Sequence, residues 1–144
     1  MFTPSKEQVR RFFCTAWAGY QAGTTLEPLQ ALAASWIAEH PEWHAELADT
    51  EAAVARDYGS DDPARNPFLH LSMHLSISEQ CSIDQPRGIR QAVELLSARR
   101  DDLHAAHHEV MECLGAMLAE GRASGQPPDG ERYLSCVRRR ATRD

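Results

Sequence analysis

The sequence predicts an all-α protein, a helical bundle of about four main helices with shorter ones appended. Three observations predict it. Apolar residues recur at helical spacing along most of the chain, and no stretch alternates as a strand does. Helix starts and stops are marked by capping residues, prolines and glycines. One stretch, Asn66 to Cys81 (NPFLHLSMHLSISEQC), reads as a buried helix with a defined start. Asn66 can accept a hydrogen bond from an orphan backbone N–H, and Pro67 falls at the first helical position, where its missing N–H costs nothing. Leu71, Met73, Leu75 and Ile77 surround His70 and His74, which leave the same face one turn apart.

The other elements follow in order. Ser5 with Gln8 forms a capping box for a first helix reaching about Tyr20, with Val9, Phe12, Phe13, Ala16, Trp17 and Tyr20 as its apolar stripe and Gly23 as its stop. A second helix runs from about Leu26 to Glu39, with Thr25 as cap. His40-Pro41 breaks it, and a short segment, EWHAELAD, restarts with His44 in its first turn. A further helical piece covers about Thr50 to Tyr58. The polar loop GSDDPARNP, from Gly59 to Pro67, is expected to be more mobile than the helices it joins. After the helix that starts at Asn66, which reaches about Asp84, come a turn at QPRG, a helix from Ile89 to Arg99, and a long helix capped by Asp101 or Asp102 and ending near Ser124. The linker SGQPPDG precedes a last short helix from Glu131 to about Arg140.

At 144 residues the chain is read as a single helical domain, 1–144. A net charge of −6 argues against a nucleic-acid partner. No apolar run approaches the roughly 18 residues of a membrane span. The N-terminus, MFTPSKEQVRRFF, has no apolar signal-peptide core, so a cytoplasmic location is expected. Cys14, Cys81, Cys113 and Cys136 form no CxxC and are read as reduced core thiols. The arginines near the C-terminus are read as a solvated helix end.

The chemistry lies in the histidines. Six of the seven fall into three HxxxH pairs: His40/His44, His70/His74 and His104/His108. Random placement gives about 0.3 such pairs. Because Pro41 interrupts the first pair, His44 is preferred to His40 as a ligand. Glu112 follows His108 by one turn on the same face. Glu79, five residues after His74, sits about 140° away on an ideal helix and needs a local bulge to join it. His107 points about 60° from His104 and about 100° from His108 on an ideal helix and is expected to matter less. The candidate metal ligands are therefore His44, His70, His74, His104, His108, Glu112, Glu79 and His40.

Imidazoles with one or two carboxylates suit zinc, iron, copper or nickel. The number of donors is enough for two ions, so a non-haem di-iron centre that binds or activates a small molecule such as O2 or NO is the leading expectation. A mononuclear zinc hydrolase with three histidines and a glutamate base, Glu112 or Glu109, is the alternative. A metal-free helical interaction module is the third. In ligand set the chain resembles hemerythrin: His70/His74, His108/Glu112 and His74/Glu79 echo the HxxxH, HxxxE and HxxxxD segments of its di-iron centre. The helix order differs, so the resemblance is one of ligands. In sequence, EHPEWH, NPFLHLSMHLSISEQ, HHEVMECLG and the closing PPDGERYL resemble a bacterial family catalogued as domain of unknown function 1841. That resemblance spans nearly the full chain and implies a small soluble bacterial protein. It carries over no catalytic residue.

Overall fold

The computed structural model describes residues 5–59 and 62–143, and is all-α there, with no strand among the described residues. The helices are α1 (Lys6–Ala22), α2 (Pro28–Ala38), α3 (His44–Leu47), α4 (Thr50–Ala55), α5 (Pro67–Ile83), α6 (Ile89–Arg100), α7 (Leu103–Ser124) and α8 (Gly130–Thr142), with a 3-10 turn at Pro41–Trp43. Two loop residues expected to be mobile, Ser60 and Asp61, lie outside the described residues. No described helix is long and apolar enough to cross a membrane.

The starts and stops follow the local chemistry. Ser5 and Gln8 make the expected capping box on α1, and Gly23 ends it in the left-handed conformation at φ 73°. The Asn66 side chain accepts from the backbone N–H of Phe68 and Leu69 at 3.1 and 3.3 Å. Asp102 caps α7 by accepting from His104 and Ala105. The cap of α2 is Glu27, two residues later than expected, so that Pro28 takes the first helical position.

The chain, read from sequence as one domain, groups into two compact units, Met1–Leu75 and Ser76–Asp144, with α5 beginning in the first and ending in the second. In the first, α1 packs against α2 and α4, and α3 against α4. Its core gathers Phe13, Cys14, Trp17, Trp36, Ile37, Leu47, Phe68 and Leu71. Each large side chain buried there contributes about 1.5–3 kcal/mol. The buried guanidinium of Arg10 donates to the carbonyls of Ala53, Val54 and Arg56, which closes the C-terminal end of α4.

In the second unit α6, α7 and α8 pack pairwise against one another. Gly88, at φ 102°, starts α6; a Cβ there would meet the Arg138 guanidinium at 2.6 Å. The cysteines depart from the sequence expectation. Cys113 on α7 and Cys136 on α8 are joined in a disulfide with Cα atoms 5.8 Å apart, while Cys14 and Cys81 are free. A separation of 23 residues looks remote along the chain, but the turn between α7 and α8 folds the two positions face to face.

Candidate metal centre

The site in the first unit starts at the C-terminal end of α2, where the Trp36 and Ile37 carbonyls also accept from the backbone N–H of Glu39 and His40. The last carbonyls of a helix have no partner within it. Two histidines supply partners here, in different ways. His40 precedes Pro41 at φ −128° and ψ 65°, outside the helical region, and its Nδ1 lies 2.7 Å from the Trp36 carbonyl. His44 opens α3 and brings its Nε2 to within 2.8 Å of the Ile37 carbonyl. A carbonyl oxygen only accepts, so the facing ring nitrogen carries the proton in each case. The Nε2 of His40 is therefore the unprotonated nitrogen, able to accept or to ligate. His44 has spent its Nε2 and packs tilted against Trp17, ring centroids 4.4 Å apart.

The Nε2 of His40 lies 3.1 Å from Nε2 of His70, which in turn lies 3.1 Å from Nε2 of His74. The three donor atoms are all within 4.8 Å of one another. His40 and His74 are buried and His70 is half-buried. An ion bound at about 2.0–2.1 Å sets neighbouring nitrogens about 3.3 Å apart in a tetrahedron and about 2.9 Å apart in an octahedron. Both 3.1 Å contacts fall between these values, so each adjacent pair fits an edge of either geometry. The Trp36 carbonyl does for His40 what a supporting acceptor does in a metal site: it fixes the tautomer and the ring plane.

Two indoles wall the group. Trp36 stacks on His74 at 4.0 Å and 14° between planes. Trp43 stacks on His40 at 4.7 Å and 7°, and meets His70 edge-on at 5.0 Å. Trp36 belongs to the buried core and Trp43 packs against it, and neither was singled out from the sequence as a neighbour of the histidines. The available signal was their placement in SWIAEHPEWH, four residues before and three after His40.

In the second unit His104 and His108 stand one turn apart on α7, ring centroids 4.3 Å apart and edge to face. His104 is half-buried and His108 exposed. His107 is buried, and desolvation, helped by its two histidine neighbours, holds its pKa down at about 4.

Three expected ligands lie outside the group of histidines. His44 is turned to the Ile37 carbonyl, and His40, ranked below it from sequence, takes the place at the centre. Glu112 is exposed and accepts a hydrogen bond from Arg140. Glu79 is exposed on α5, as its rotation of about 140° from His74 on an ideal helix requires. Glu109, the other candidate base, accepts from Arg100 at 2.5 Å.

Helices throughout and histidine donors converging on a common point define an all-α protein with a group able to hold a metal ion. The chain belongs to the family described as Domain of unknown function (DUF1841), whose model matches residues 5–139. No curated protein and no solved structure matched it.

Proposed function

We propose that the protein binds a first-row transition-metal ion through Nε2 of His40, His70 and His74, and that the ion binds or activates a small molecule such as O2 or NO. The observation that carries this reading is the pair of 3.1 Å contacts between three Nε2 atoms, with His40 held in the ligating tautomer by a backbone carbonyl. Neighbouring Nε2 atoms 3.1 Å apart repel through their lone pairs unless a proton or a cation lies between them. Iron is the proposed ion, with zinc as the alternative; neutral imidazole donors suit both. The donor set favours one ion per site over two bridged by carboxylates, because the acids expected to bridge, Glu112 and Glu79, are exposed and Glu112 is paired with Arg140. His104 and His108 are proposed as further ligands on their spacing alone.

The hydrolase reading is weaker for a specific reason. It needs a carboxylate to take a proton from bound water, and Glu109 and Glu112 are both held by arginines. The test is elemental analysis of the full chain expressed in iron-supplemented, zinc-poor medium, with a visible spectrum. Iron with absorption bands that respond to NO supports the proposal. Zinc alone supports the alternative, and a folded protein without metal overturns both.

A further inference from the structure

A cavity in the second unit, unused by the metal-centre reading, opens on the disulfide. It measures about 470 Å³ and is lined by Cys113 and Cys136 with Met117, Arg132, Tyr133 and Arg139 among its walls. Cys113 is 2% exposed, whereas Cys136 is half-buried and has surface to offer. We infer that Cys113–Cys136 is a thiol–disulfide exchange site that takes a small dithiol as co-reactant, with Cys136 the sulfur attacked.

Access decides which sulfur an incoming thiolate meets. One thiolate of the dithiol attacks Cys136 Sγ. A new S–S bond forms there and the Cys113–Cys136 bond breaks, its electron pair leaving on Cys113 Sγ. The second thiolate of the dithiol then attacks its own partner sulfur in the mixed disulfide and releases Cys136. Two electrons and two protons pass to the protein, and the dithiol ends as a disulfide.

The surrounding structure lets this happen in the folded chain. α8 is held by buried Tyr133, Leu134, Val137 and Ala141, by the Arg140 pairs with Glu109 and Glu112, and by the Tyr133 hydroxyl donating to Gln80. The disulfide is one tie among several, so its loss leaves α8 in place.

The test uses the full chain. Native protein is treated with dithiothreitol, alkylated and mapped by mass spectrometry, with circular dichroism recorded throughout. Labelling of Cys136 with unchanged helicity is expected. The single variants Cys113→Ser and Cys136→Ser are then exposed to glutathione disulfide, and an adduct at Cys136 forming at least tenfold faster than one at Cys113 is expected. Reduction that proceeds only when the chain unfolds overturns the inference, as does an adduct forming as fast at Cys113. Where a variant does not fold, the wild-type arm decides alone.

Discussion

The pairs His70/His74 and His104/His108 share a spacing and differ in burial and in the helix that carries them. The first stands on the buried side of α5, between two indoles, and meets a third imidazole whose tautomer a carbonyl fixes. The second stands near the start of α7, with one member exposed. Helical spacing brings two rings together in both. What makes the first pair a corner of a donor triangle is His40, which comes from the broken end of another helix. A motif count treats the two pairs alike; the supporting carbonyl and the stacked indoles distinguish them.

The largest expected effect breaks that comparison if it fails. His74→Ala removes a buried donor that has a neighbouring donor at 3.1 Å, and is expected to weaken metal binding more than about 100-fold, beyond the 10–100-fold typical of losing a supporting group. Metal per chain, measured on protein shown to be folded by circular dichroism, should fall below detection. The same measurement on His108→Ala reports how much of the metal the second pair holds. Equal retention in His74→Ala and wild type would mean that the triangle is not the metal site. Affinity in the wild type should also fall on acidification, because an imidazole must be neutral to ligate.

The two units differ in a second way, since only the second carries a disulfide among the described residues. Closing a loop over a separation of 23 residues stabilises the folded state by about 3 kcal/mol in the chain-entropy account. Reduction is therefore expected to lower the urea midpoint of the second unit. Tryptophan fluorescence, which reports only on the first unit because Trp17, Trp36 and Trp43 all lie there, should show a smaller change. Parallel shifts of the two signals would show that the units unfold as one.

The all-α fold was legible because capping boxes, prolines and glycines act locally, and α1, α5 and α7 start where their caps stand. His70 and His74 were legible for the same reason: both belong to one continuous helix. His40 and His44 were not, because Pro41 lies between them and spacing rules assume an unbroken helix. Which nitrogen each ring retains depends on which α2 carbonyl it meets, a detail absent from the residue pattern. The position of Glu112 after His108 is correct for a shared face, but the pattern along α7 contains nothing about Arg140 on α8. The disulfide was hidden likewise, since its two cysteines become neighbours only when α7 and α8 pack.

A smaller effect sharpens the contrast between the two histidines at the end of α2. His44→Ala removes a hydrogen bond to the Ile37 carbonyl and a tilted ring contact with Trp17 while leaving the three donors in place. A loss of about 1–2 kcal/mol in stability is expected, with metal stoichiometry unchanged. Loss of metal without loss of stability would return His44 to the ligand set and displace His40.

The smallest effect concerns Glu112. If it ligated or bridged ions, Glu112→Gln would lower metal content, because the amide is a poor substitute for an anionic ligand. In the structure its carboxylate is mostly solvent-exposed and paired with Arg140, which also lies 3.9 Å from Glu109. Removing the charge leaves Arg140 with Glu109, and an exposed pair of this kind is worth at most about 1 kcal/mol. Glu112→Gln is therefore expected to keep full metal content, with a stability change below about 1 kcal/mol that shrinks further as salt screens the pair. Metal analysis beside a urea titration at low and high salt separates the cases. A loss of metal at constant stability would place a carboxylate in the centre and revive the two-ion arrangement, whereas a small, salt-sensitive change in stability with metal retained leaves Glu112 to Arg140 and the centre to the imidazoles.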